Sequence, residues 1–208
     1  MDIDKLHYIS QAPEDGSHLT AIEKVLQSGC KWIQLRVKEK PSATVLQFAL
    51  VANKLCERFQ ARLIVNDFPE IALQSGAYGV HLGLDDMPVL AARAILGPDK
   101  CIGGTANTFA DILKRVDEGV NYIGLGPFRF TTTKKNLSPV LGIDGYIRLL
   151  QQVKEAGITT PVIAIGGINQ ADIAGLKKAG VYGIAVSGLL TYSNQPNQEV
   201  QSLYKEIA

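Results

Sequence analysis

Eight short apolar runs, separated by helix-length segments and punctuated by glycine, limit what this chain can fold into more than any other feature. They occupy positions 6–10, 32–37, 62–67, 79–83, 101–105, 122–127, 161–167 and 183–188. The runs lack a regular polar alternation, which is the pattern of parallel strands covered on both faces. Amphipathic stretches lie between them. Leu19, Ile22, Val25 and Leu26 follow helical spacing, as do Ile143, Tyr146, Ile147 and Leu150. Gly29, Gly76, Gly119, Gly157 and Gly180 each stand just before a run, where a residue free to adopt positive φ ends a helix. Each strand and helix pair takes roughly 20 to 25 residues. Eight such pairs predict an α/β chain forming a single-domain (β/α)8 TIM barrel over residues 1–208. A doubly wound open sheet is the competing arrangement. It needs no eighth strand and usually carries a G-x-G-x-x-G turn after the first, which is missing here.

Composition removes several classes of function. Lys and Arg number 21 against 20 Asp and Glu, a formal charge of +1, so no global field draws in nucleic acid or an anionic membrane. Any anion must be held locally, and small molecules are the expected partners. The first residues, MDIDKLHYISQ, hold no long apolar core, and no run of 18 apolar residues occurs, so a cytoplasmic location is expected. Cys30, Cys56 and Cys101 fit neither a disulfide framework nor a zinc motif and read as buried thiols. Nothing in the sequence specifies an oligomeric state.

In such a barrel the chemistry sits at the C-terminal ends of the strands. The second run ends in Gln34-Leu35-Arg36-Val37-Lys38, whose alternation places Gln34, Arg36 and Lys38 on one face. Two adjacent cations repel unless an anion lies between them, so an anion site is expected there, with ion pairs to the acidic loops or capping of the barrel mouth as the alternative. The third run ends in Asn66-Asp67 and the fourth is followed by Asp85-Asp86. Carboxylates from neighbouring strands supply the sparse oxygen ligation that suits Mg2+ when a substrate phosphate completes the shell. A structural alternative stands beside it. Asp67-Phe68-Pro69-Glu70 has the form of a capping box, and Asp86 is placed to cap a helix beginning near Pro88. His81 sits within a strand with no serine or cysteine motif to form a triad, and it is left outside the catalytic set.

The fifth run leads into Thr105-Ala106-Asn107-Thr108, which suits either the polar edge of a heteroaromatic ligand or a helix capped by Asn107 or Thr108. The last two runs end in Gly166-Gly167 and Val186-Ser187-Gly188, a paired glycine-rich arrangement for a phosphate. After Gly126-Pro127, the residues Thr131, Thr132, Thr133 and Lys134 offer hydroxyl donors and a point charge to the same anion. Positions 128–140 are long enough to serve as a lid.

Taken in order and spacing, seven motifs resemble the thiamine-phosphate synthase family of small TIM barrels. They are Gln34-x-Arg36-x-Lys38, Asn66-Asp67, His81-x-Gly83-x-x-Asp86, Gly124-x-Gly126-Pro127, Thr131-x-Thr133-Lys134-Lys135, Gly166-Gly167-Ile168 and Val186-Ser187. The resemblance implies condensation of hydroxymethylpyrimidine diphosphate with hydroxyethylthiazole phosphate, giving thiamine phosphate and diphosphate. It assigns Gln34, Arg36, Lys38, Asn66 and Lys134 to the pyrimidine diphosphate, with Arg36, Lys38 and Lys134 stabilising the leaving charge. It makes Asp67 and Asp86 the magnesium ligands and puts Thr105 where the family has a pyrimidine-contacting serine. Thr131, Thr133, Gly167, Val186 and Ser187 would hold the thiazole phosphate. Val37, Leu84, Asn107 and Phe130 depart from the family's common glutamate, glutamine, histidine and proline. A thiazole tautomerase of related fold and a catalytically silent phosphate-binding paralogue are the alternatives.

Overall fold

The computed structural model describes residues 1–14, 16–131 and 138–208. Eight parallel strands close into a barrel in chain order: β1 (Leu6–Ile9), β2 (Trp32–Leu35), β3 (Arg62–Asn66), β4 (Gly79–Leu82), β5 (Cys101–Ala106), β6 (Tyr122–Leu125), β7 (Val162–Ile165) and β8 (Gly183–Val186). Closure is by β1 against β8, with Leu6 opposite Ile184 and Tyr8 opposite Val186. The outer layer comprises α1 (His18–Gln27), α2 (Ser42–Arg58), α3 (Pro69–Gln74), α4 (Val89–Leu96), α5 (Phe109–Asp117), α6 (Gly142–Glu155), α7 (Ile173–Ala179), α8 (Gly188–Thr191) and α9 (Pro196–Ile207). A 3-10 turn, Gln170–Asp172, precedes α7. Among the described residues, no helix is long and apolar enough to cross a membrane.

The expected glycine stops hold: Gly29, Gly76, Gly119, Gly157 and Gly180 all have positive φ. Thr108, rather than Asn107, caps α5, with Asp111 completing a reciprocal capping box. One helical position differs from expectation. Ile147 is exposed, and Leu149 and Val153 join Tyr146 and Leu150 on the buried face of α6. All three cysteines are buried, and burial pushes each thiol up to about 12.

Strand alternation sorts the core into two compartments. Ile33, Leu35, Leu63, Val65, Val80 and Ile102 point outward to the helices, while Trp32, Ile64, Cys101, Tyr122 and Ile163 fill the barrel interior. His7 stacks on Trp32 at 4.6 Å and meets Tyr122 edge-on at 5.1 Å. Burial lowers its pKa to about 3, so it is a neutral plug that hydrogen-bonds the Asp4 carbonyl at 2.8 Å. The next inward position along each strand is where the interior opens.

Candidate active site

A cavity of about 500 Å³ opens at the C-terminal ends of the strands. Its floor comes from the inward positions just above the aromatic plug: Ile9, Gln34, Asn66, His81, Thr105, Ile165 and Ala185. Eleven of the thirteen residues expected to form the site line it: Gln34, Arg36, Lys38, Asn66, Asp67, Asp86, Thr105, Thr131, Gly167, Val186 and Ser187. Thr133 and Lys134 lie outside the described residues, as does the central part of the expected lid.

One wall carries opposite charges close together. The Lys38 ammonium pairs with the Asp67 carboxylate. Burial lowers the pKa of the Arg36 guanidinium, and the nearby Asp67 acts in the opposite sense. Asp67 adopts φ 70°, unusual for a residue with a side chain, while Phe68 N–H bonds the Asn66 carbonyl at 3.0 Å. The resulting γ-turn aims the carboxylate into the cavity at a cost in backbone strain. Burial raises the Asp67 pKa, and the hydrogen bond that its protonated carboxyl donates to Asp86 raises it further, against the opposing effect of Lys38.

Neither aspartate is a helix cap, contrary to the structural alternative. α3 begins after Phe68 with no side-chain cap and Pro69 in its first turn, and α4 begins after Pro88, also uncapped by a side chain. Asp86 instead accepts the Gly83 N–H at 2.6 Å. A Cβ at Gly83 would stand 2.7 Å from that same carboxylate oxygen, so the close approach requires glycine. Two carboxyl groups crowded together fit a divalent cation, which would relieve their repulsion. Among the described residues, no cluster of three or more His, Cys, Asp or Glu forms. A metal at the Asp67 and Asp86 pair would take its remaining oxygens from substrate and water.

The floor is polar and hydrogen-bonded. Gln34 Nε2 donates to Asn66 Oδ1 at 2.8 Å, which leaves the Asn66 amide hydrogens as donors. His81 contacts the Thr105 hydroxyl through Nε2 and the Tyr122 hydroxyl through Nδ1, both at 3.0 Å. Behind it, the buried Arg115 donates to the Thr105 carbonyl at 3.0 Å and to the Gly83 carbonyl at 2.8 Å, joining the ends of β5 and β4. Glu118 balances its charge at 2.8 Å.

On the opposite side, Gly166 and Gly167 have φ of 97° and 67°, and a Cβ on Gly166 would lie 2.6 Å from the Pro127 Cβ. Arg129 holds this turn with a bidentate pair to Asp172, at 2.9 and 3.0 Å, and a bond to the Gly167 carbonyl. Ser187 Oγ donates to Gln11 Oε1 at 3.2 Å, and Gln11 Nε2 donates to the Tyr192 hydroxyl at 3.0 Å.

Residues 6–190 match the family model described as thiamine monophosphate synthase. The chain belongs to the thiamine monophosphate synthase family. A thiamine-phosphate synthase of Flavobacterium psychrophilum is 48% identical over 203 residues, covering 98% of each chain. One from Bacteroides thetaiotaomicron is 46% identical over 198 residues, covering 95% of each. A solved structure of thiamine phosphate pyrophosphorylase from Pyrococcus furiosus superposes with a TM-score of 0.82 at 28% identity, over 98% of this chain and 95% of the other. A 3-hexulose-6-phosphate synthase structure, 16% identical with a TM-score of 0.67 over 99% of this chain and all of the other, shares the fold. Membership of the thiamine monophosphate synthase family makes the chain a transferase of thiamine biosynthesis with the TIM-barrel architecture.

For a thiamine monophosphate synthase, motif reading missed mainly apolar and amide groups in the cavity wall: Ile9, Gln11, Ser138, Ile165 and Leu189. Ile9 and Ile165 were accessible from register, being the inward residues at the ends of β1 and β7. Gln11 carries no comparable signal. Asn107, one of the departures from the family pattern, has a structural task here: its amide donates to the Gly126 and Pro139 carbonyls, each at 2.9 Å. It thereby ties the end of β5 to both ends of the segment that follows β6.

Proposed function

We propose that the chain condenses hydroxymethylpyrimidine diphosphate with hydroxyethylthiazole phosphate by a magnesium-assisted dissociative substitution. The observation that carries this reading is the pair of crowded carboxylates, Asp67 and Asp86, in a cavity also lined by Arg36 and Lys38. That combination suits a metal-bound diphosphate, and the family assignment supports it. Magnesium held by Asp67 and Asp86 would neutralise charge on the departing diphosphate.

The chain's own groups do the rest. Arg36 and Lys38, which line the cavity, meet the diphosphate as positive charge, Lys38 exchanging its ion pair with Asp67 for the phosphate oxygens, and the family motif assigns Lys134 the same role. Gln34, Asn66 and Thr105 hold the pyrimidine by neutral hydrogen bonds, so the ring keeps the electron density needed to expel its leaving group. Thr131, Thr133, Gly167, Val186 and Ser187 seat the thiazole phosphate, fixing the ring nitrogen in line with the pyrimidinylmethyl carbon. That nitrogen attacks with a free lone pair, so no general base is required. Ile9, Ile165, Ala185 and Leu189 line the cavity with apolar surface that disfavours water as the competing nucleophile.

Asp67→Ala separates this reading from a structural role for the aspartate. Turnover is expected to fall about a hundredfold or more, while the affinity for thiazole phosphate, measured by calorimetry, stays within about twofold. Equal loss of both would assign Asp67 to the fold rather than to the metal.

A further inference from the structure

His81 lines the cavity but has no part in the reaction as set out above. We propose that His81 is a positioning residue that, with Tyr122, fixes the Thr105 hydroxyl as a hydrogen-bond donor to a ring nitrogen of the heteroaromatic substrate. The inference rests on the preceding reading, in which that substrate is an aminopyrimidine.

Proton bookkeeping sets the direction of the chain. Tyr122 is buried at the centre of the barrel, and its hydroxyl proton needs an acceptor. Among the described residues, His81 Nδ1 is at hydrogen-bonding distance, 3.0 Å. Burial raises the Tyr122 pKa well above its ordinary value, so the phenol stays protonated and donates. An imidazole that accepts a hydrogen bond at Nδ1 carries its own hydrogen on Nε2. Nε2 lies 3.0 Å from Thr105 Oγ1, which therefore accepts. The Thr105 hydroxyl hydrogen is then left for the cavity, where Thr105 is partly exposed and His81 is buried.

The surroundings hold the chain in place. Tyr122 is packed edge-on by Trp32 and His7, with ring centroids at 5.8 and 5.1 Å. Its ring stacks on His81 at 5.5 Å. A Cβ on Gly103 would overlap the Tyr122 ring, and one on Gly124 would stand 2.9 Å from His81 Cε1, so both neighbouring strands carry glycine where the relay passes. Arg115 fixes the Thr105 backbone from behind. A neutral hydroxyl presented in this way orients the ring while withdrawing less electron density than a cationic imidazolium would.

The test is a double-mutant cycle between His81 and Thr105, using H81F, T105V and the combined variant. It is read as kcat/KM for the pyrimidine diphosphate and KM for thiazole phosphate. It is also read as calorimetric affinity for an unreactive aminopyrimidine methylphosphonate. Because His81 acts through Thr105, each single variant loses about tenfold toward the pyrimidine ligand and the double variant also loses only about tenfold in total, not about a hundredfold. KM for thiazole phosphate is unchanged, and H81Q, which keeps a donor toward Thr105, retains more affinity than H81F. Multiplying losses, equal loss in H81Q and H81F, or a matching rise in the thiazole phosphate KM would overturn the proposal. If H81F does not fold, Y122F replaces it, removing one hydroxyl and preserving shape. Absence of turnover in the unmodified protein would defeat the condensation reading alone, since the binding cycle still decides on His81. Absence of binding to the unmodified protein would overturn both.

Discussion

Asp67 combines a left-handed backbone, an ion pair with Lys38 and a carboxyl close to Asp86. The strained backbone and the crowding with Asp86 are costly for a residue whose only task is packing, and together they mark a group held ready for a ligand. Because burial and then Asp86 raise its pKa, the folded chain binds the Asp67 proton more tightly than the unfolded chain. Its contribution to stability is therefore most favourable at low pH and is lost as pH rises from the usual carboxylate range through the raised value. Asp67→Asn is predicted to raise Tm at neutral pH and to flatten the decline in stability across that window, as followed by calorimetry. A lower Tm would mean that the Lys38 pair outweighs burial and crowding. The sequence marked Asp67 as either a ligand or a cap. It could not separate the two, because Asp-x-Pro-Glu is compatible with both and the γ-turn that excludes the cap depends on a positive φ that aspartate adopts only occasionally.

At the level of elements, strand number and order were legible because each apolar run is bounded by a glycine-ended helix. Strand ends were read too long at several places, among them Asp67 and Gly83, where backbone leaves the sheet to form the cavity rim. The sequence also missed the join between β4 and β5. Arg115 lies on a helix in a basic pair with Lys114, which reads as solvated surface, yet Arg115 is buried. It enters because a Cβ at Gly104 would stand 2.7 Å from its Cδ. Arg115→Met removes three hydrogen-bonding contacts and leaves Glu118 without its close partner. The expected loss is about 3 kcal/mol, read as a fall in Tm of roughly 10 °C. Since the Gly83 amide holds Asp86, the magnesium concentration needed for half-maximal turnover should also rise. An unchanged magnesium requirement beside a lowered Tm would limit Arg115 to stability.

For the whole molecule, alternation along eight strands explains how one chain makes both a sealed core and a reactive cavity. Inward residues at one level form the aromatic plug, and the next level supplies Gln34, Asn66, His81 and Thr105 to the floor. Charged and glycine-rich groups sit one step further out, on the loops. The motifs that carry charge were therefore readable in sequence. The hydrogen bonds linking Gln34 to Asn66, and Tyr122 through His81 to Thr105, were not, because they arise only when distant strands are brought into register. The most direct measurement is turnover of the purified protein with hydroxymethylpyrimidine diphosphate, hydroxyethylthiazole phosphate and magnesium, following both products. The predicted result is magnesium-dependent formation of thiamine phosphate and diphosphate in equal amounts. No turnover with intact binding of thiazole phosphate, or isomerisation of a thiazole carboxylate phosphate without condensation, would contradict it.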